Sequence, residues 1–191
     1  MSLKTVTVKN LFDRGLLSLF YAYHLGAYVR VKRLGMELDW TDFDGMVREY
    51  PLWRQTYIPT GGLKGKTVLD IGACCGGTAK LFFDNGAAKV IAIERDPVRV
   101  KMLQHNREKF GWNLEIAARE FRVSDLDIER DFTKCDIEGY EMQLLEAPDK
   151  IGSCSVEVHN WYVRDRFAGM GFRELTEPNP MMGFCVMANW R

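Results

Sequence analysis

No apolar stretch in this chain approaches the length of roughly 20 residues that a membrane-spanning helix needs. The start, Met1-Ser2-Leu3, is too polar for a secretory signal. A membrane partner is therefore not expected. An excess of either charge is also missing: Lys plus Arg and Asp plus Glu stand at 26 each, giving zero formal charge. That balance disfavours nucleic acid as a partner, since a large phosphate footprint calls for a basic surface; only a local patch at Arg30, Lys32 and Arg33 runs against it. The five cysteines (Cys74, Cys75, Cys135, Cys154, Cys185) form no C-x-x-C pair, which excludes the common zinc and redox spacings. They read as buried, reduced thiols of a cytoplasmic protein. Repeats and low-complexity segments are absent. At 191 residues the chain can bury one full core.

The most informative segment that is present is Val68-Leu69-Asp70-Ile71-Gly72-Ala73-Cys74-Cys75-Gly76-Gly77. It reads as a buried strand ending in an acid, a glycine turn and a helix start. A second apolar strand, Lys89 to Glu94, follows one helix later and also ends in an acid. Together they make the front half of a mononucleotide-binding βαβ unit, with Glu94 placed to accept hydrogen bonds from ribose hydroxyls. The turn departs from the dinucleotide pattern G-x-G-x-x-G, because Cys74 stands at the second glycine. Asp70 precedes the turn and would repel a pyrophosphate but attract an ammonium or a sulfonium. S-adenosylmethionine carries both cations, a carboxylate for the helix N-terminus and a ribose for Glu94, and is the expected cofactor; a nicotinamide cofactor is disfavoured by Asp70 and Cys74.

Further strands are expected near 114–118, 132–135 and 154–158, with helices after Asp96-Pro97, over 141–145 and over 161–168. Two final strands, 172–176 and 184–188, joined by Glu177-Pro178-Asn179-Pro180, have no helix between them, so one strand runs antiparallel. The class is α/β, with a mostly parallel sheet and right-handed crossovers. Residues 10–34 are expected to hold a helix with Leu16, Leu19, Phe20, Tyr23 and Ala27 on one face, ending at Gly35. Residues 36–59 are aromatic without clear period. Residues 1–63 are thus set apart as a cap or substrate region, and 64–191 as the cofactor domain.

This pattern resembles the class I S-adenosylmethionine-dependent methyltransferases over residues 65–189. More narrowly, it is similar to the FkbM-type methyltransferases through Asp70-Ile71-Gly72-Ala73, Lys134-Cys135-Asp136-Ile137-Glu138-Gly139-Tyr140-Glu141 and Val156-Glu157-Val158-His159. The resemblance implies a Rossmann-like, seven-stranded sheet of order 3-2-1-4-5-7-6 with the last strand antiparallel. It implies that Asp70, Gly72, Ala73 and Gly76 hold the methionine part, that Glu94 holds the ribose, and that Arg95 and Asp96 flank the adenine. Asp125 is the candidate third-strand acid, and Asp136 borders both cofactor and acceptor.

Methyl transfer requires alignment of nucleophile, methyl and sulfur, and a hydroxyl nucleophile must also lose a proton. Asp136, Glu138 and His159 are the candidate catalytic residues, with His159 as the candidate base at neutral pH. Catechol-type O-methyltransferases hold a divalent cation at the ends occupied here by Asp136 and Asn160. His159 replaces a carboxylate that a hard cation would prefer, so no metal is expected. The family implies O-methylation of a hydroxyl on a small molecule or sugar. An RNA or protein methyltransferase, and a non-catalytic cofactor-binding module, remain as alternatives.

Overall fold

The computed structural model describes residues 5–7, 28–31, 36–38, 52–176 and 185–190. Its frame is a seven-stranded sheet built from β4 (Thr67–Ile71), β5 (Lys89–Glu94), β6 (Leu114–Ala118), β7 (Phe132–Cys135), β8 (Cys154–Val158), β9 (Arg173–Glu174) and β10 (Cys185–Ala188). The spatial order is β6-β5-β4-β7-β8-β10-β9. The first five strands run parallel, and β10 lies antiparallel to both neighbours. This is the expected order 3-2-1-4-5-7-6.

The apolar runs in the sequence are continuous because both faces of the sheet are covered. Alternate residues go to opposite cores. Val68, Val90, Ala92 and Phe132 face one side with Tyr57, Phe82 and Leu103. Leu69, Ile71, Ile91, Ile93 and Val156 face the other with Val163 and Phe167. The α-helices are α1 (residues 52–57), α2 (Gly77–Asp84), α3 (Pro97–Phe110) and α4 (Trp161–Gly169). Helix α3 starts where Asp96 accepts from the Val98 and Arg99 N–H groups, and it stops at Gly111 in a left-handed conformation, the usual devices for opening and closing a helix.

Three expectations need correction or fall elsewhere. Residues 28–31 form a strand, β2 (Tyr28–Val31), rather than the end of a helix. It pairs with β1 (Thr5–Thr7) in parallel and with β3 (Met36–Leu38) antiparallel. The Tyr-Val-Arg-Val alternation suits a strand. Residues 141–146 form a 3-10 helix rather than an α-helix, being trapped between the Gly139 turn and Pro148. Leu16, Leu19, Phe20, Tyr23, Ala27 and the 177–180 turn lie outside the described residues. Among the described residues no helix is long and apolar enough to cross a membrane.

Candidate functional site

The carboxyl ends of the parallel strands open onto one cavity of about 320 Å³, the size of a small-ligand site. Its floor is the glycine turn. Gly72 adopts φ +76°, and its amide donates to the Ile93 carbonyl at 2.9 Å. A Cβ there would lie 1.8 Å from the Asp136 carbonyl oxygen. The β4 and β7 ends therefore meet only because position 72 is glycine. Gly72 and Ala73 line the cavity. Gly76 does not. It turns the chain at φ +97° with Leu103 and Trp112 packed against it, and so joins the loop to α3.

Glu94 ends β5 in the cavity wall and is almost fully buried. One carboxylate oxygen accepts from the Cys74 N–H at 2.9 Å, the other from the Asp96 N–H at 2.8 Å. Each oxygen keeps a further acceptor site for a ligand hydroxyl. Arg95 also reaches the wall, where its guanidinium lies 5.4 Å from the Tyr140 ring centroid and pairs with Glu120.

Asp70 is placed otherwise than the sequence suggests. The β4–β7 register sets it directly opposite Lys134. Its carboxylate is fully buried, accepts from Thr78 Oγ1 at 2.5 Å and lies 3.4 Å from Lys134 Nζ. Burial pushes its pKa up, against the pull of Lys134 and Thr78. The protein itself supplies the cation that a ligand was expected to bring. Burial would discharge Lys134, but the Asp70 and Asp136 carboxylates outweigh it and hold the ammonium charged. That ammonium also donates to the Gly72 carbonyl at 2.8 Å.

Asp125 does not reach the cavity either. It accepts both arms of Arg119, at 2.6 and 2.8 Å, and the Arg122 N–H. Burial opposes its charge, but these donors prevail and keep its carboxyl below the usual range. Arg119, Glu120 and Phe121 after β6 form that wall instead. Trp53 and Tyr57 from α1 add an aromatic side. Sequence reasoning missed Arg119 and Phe121, and placed Trp53 and Tyr57 only within the aromatic stretch 36–59 of the expected cap. It also passed over Lys134 as a site residue, although a lone lysine in a buried strand is a signal of a buried ion pair.

Asp136 leaves β7 into the cavity. Its Oδ1 is buried and has no hydrogen-bond partner among the described residues, and Oδ2 lies 3.7 Å from Lys134 Nζ. Burial, with Glu157 and Glu138 nearby, pushes its pKa up to about 7, despite Lys134 and His159. Glu138 lines the mouth at φ +54°. His159 stands outside the wall among carboxylates. Nδ1 is 2.7 Å from the fully buried Glu141, and Nε2 is 3.5 Å from both Glu157 and Glu138. Burial would lower its pKa, but hydrogen bonding to Glu141 and Glu157 raises it to about 10. That shift favours the protonated ring, and with His159 outside the cavity wall it disfavours the expected role as general base, since a base must begin without the proton. The donor atoms of Asp136, Glu157 and His159 lie within 4.8 Å of one another and are the described set that could hold a cation.

The sheet order, the glycine turn and the acid-ended strands define the Rossmann-like fold of class I methyltransferases. No protein-family model matches the chain, and the narrower FkbM-type family is not shown. The sequence is 32% identical over 139 residues to ribosomal RNA small subunit methyltransferase A of Rhodopseudomonas palustris (strain BisB18), covering 69% of this chain and 48% of that protein. The chain thus spans about half the length of this curated relative. Among solved structures, the C-terminal domain of precorrin-6Y C5,15-methyltransferase from Rhodobacter capsulatus superposes with a TM-score of 0.56 at 12% identity, covering 76% of this chain and 89% of that one. A candidate RNA methyltransferase from Pyrococcus horikoshii gives a TM-score of 0.50 at 18% identity, covering 78% and 81%. The expectation that nucleic acid is disfavoured as a partner is overturned by these relatives, two of which are named for RNA. None of the three is named for a hydroxyl acceptor.

Proposed function

We propose that this protein is an S-adenosylmethionine-dependent methyltransferase that acts on an RNA nucleotide. The observation that carries the reading is Asp136: a carboxylate in the cavity wall, beside the glycine turn, with one buried oxygen that no group among the described residues satisfies. A buried acceptor of this kind calls for a donor from a ligand. Similarity to a ribosomal RNA methyltransferase supports the acceptor class.

The residues present fit the cofactor. The N-terminus of α2 suits its carboxylate, Glu94 its ribose hydroxyls, and Phe121 with Arg119 a flat base. When bound, it supplies a methyl group already activated for displacement. The protein's part is placement and proton handling. Asp136, poised near neutrality, accepts a hydrogen bond or a proton from the acceptor nucleotide; Lys134 holds that carboxylate and the Gly72 carbonyl in place; Trp53 and Tyr57 limit water on the acceptor side. Their position in the wall supports assigning residues 1–63 to acceptor binding, with 64–191 as the cofactor domain. A second reading, favoured by the K-x-D-x-E-G-x-E signature over Lys134 to Glu141, has a hydroxyl as the methylated group.

The test is transfer of labelled methyl from S-adenosylmethionine to RNA, followed by nucleoside analysis. Label in RNA supports the first reading and no label in any RNA overturns it, while label found instead in a hydroxylated small molecule or sugar supports the second. The wild-type rate is expected to rise with pH through about 7 as Asp136 deprotonates. Asp136→Asn should cost about a hundredfold or more and remove that rise.

A further inference from the structure

Strand β4 lies between β5 and β7 in the sheet, and its end is the glycine turn that floors the cavity. A contact between the residues after β5 and those after β7 therefore passes over that floor. Arg95 and Tyr140 make such a contact. Arg95 follows β5, and its guanidinium lies 5.4 Å from the centroid of the Tyr140 ring, carried on the loop after β7. Arg95 Nη1 also donates to Glu120 Oε1 at 3.2 Å, and Glu120 follows β6. All three residues line the cavity. Glu120, Arg95 and Tyr140 thus run in a row across the ends of β6, β5, β4 and β7.

The Tyr140 end of this row is placed to move, and the Arg95 end to stay. Glu138 and Gly139 adopt φ +54° and +97° in succession, in the left-handed region where the Glu138 side chain is strained. Beyond them Glu141 is fully buried; its Oε1 accepts from the Gly139 N–H at 2.8 Å and lies 2.7 Å from His159 Nδ1. Before them the Asp136 N–H donates to the Ile71 carbonyl at 3.0 Å. Residues 137–140 are therefore a short arch between two fixed points. Tyr140 is 54% exposed, so its ring rests on Arg95 rather than in a core. Arg95 stands between the buried Glu94 and Asp96, which caps α3. An exposed cation–ring contact and an exposed ion pair are each weak. Together they hold the arch shut yet let it part readily.

We infer that Tyr140, Arg95 and Glu120 form a strap across the cavity, hinged at Glu138 and Gly139, that must part for the cofactor to enter or leave. This gating rests on the cofactor reading above; the strap itself does not. A strap of this kind acts on rates. Shut, it blocks both directions alike, so removing the ring raises entry and exit together and leaves affinity nearly unchanged. A side chain that merely touched the ligand would slow exit alone, and its loss would weaken affinity.

The experiment is stopped-flow binding of S-adenosylhomocysteine to the full chain as wild type, Tyr140→Ala and Tyr140→Phe, each checked for a native circular dichroism spectrum. Without ligand, NMR reads the Arg95 side-chain protons, which the ring current of Tyr140 should shift in the wild type. Tyr140→Ala is expected to abolish that shift. It should also raise the association and dissociation rate constants by about two- to fivefold each, with the dissociation constant changed by less than about twofold. Tyr140→Phe keeps the ring and should retain both the shift and the slow rates. Arg95 shifts that do not respond to Tyr140→Ala overturn the strap. An unchanged association rate in Tyr140→Ala overturns the gating, and a rise in dissociation alone makes Tyr140 an ordinary ligand contact. Should the wild type bind no S-adenosylhomocysteine, the cofactor reading and the gating fail together, and the NMR shift still decides the strap.

Discussion

An added methyl group at position 72 would meet the Asp136 carbonyl oxygen at 1.8 Å, in a backbone conformation that side chains rarely adopt. Gly72→Ala should therefore cost about 2 kcal/mol or more of stability, read by urea unfolding, and should displace Asp136 with the turn. The glycine and both strand-end acids were legible in the sequence, but their partners were not. Asp70 faces Lys134 only through the pairing of β4 with β7, two strands far apart in the chain, and nothing local announces it. Lys134→Met leaves Asp70 buried without its cation, so it should cost about 3–5 kcal/mol, with partial recovery when Asp70→Asn is added. His159 carries a third prediction. Its pKa is about 10 in the folded chain and about 6.5 unfolded. The stability it contributes is full below about pH 6.5 and is lost as pH rises towards about 10. His159→Asn should flatten stability against pH across that window. The sequence showed a histidine after a strand; it could not show three carboxylates converging on it.

Among the elements, those with strong local signals were readable nearly to the residue. Helix α3 has an N-cap acid, a proline at its first position and a glycine stop. Asp96→Ala should cost about 1 kcal/mol, measurable by thermal unfolding. Strands β4 and β5 are short, mostly apolar runs bounded by turns. Elements failed where length was the constraint. Residues 141–146 have helical composition, yet this short segment between the Gly139 turn and Pro148 closes only as a tighter helix. Residues 28–31 carry a strand alternation inside a segment whose apolar spacing also suits a helix, and pairing with β1 and β3 decided the matter.

For the whole molecule, zero net charge is a poor guide to partner class. Net charge governs long-range attraction, whereas under the proposed RNA reading an entering nucleotide would meet local groups such as Arg95, Arg99 and Arg119. A balanced chain should bind RNA through few phosphates, so log affinity against log salt should fall with a slope of only about −1 to −3. A much steeper slope would place a basic surface outside the described residues. The sheet order was legible because alternation of strands and helices admits few topologies. The closing of the acceptor side was not, because it joins distant parts of the chain. The Tyr57 hydroxyl donates to Glu157 at 2.8 Å across 100 residues, and Ser155 Oγ donates to the Thr56 carbonyl across 99. That separation has a meaning in time. At about 5–20 residues per second, a ribosome makes Tyr57 roughly 5–20 seconds before the strand that anchors it. During synthesis the glycine turn and Glu94 exist well before the aromatic wall is fastened, so a nascent chain would pass through a stage with the cavity floor made and its aromatic side open.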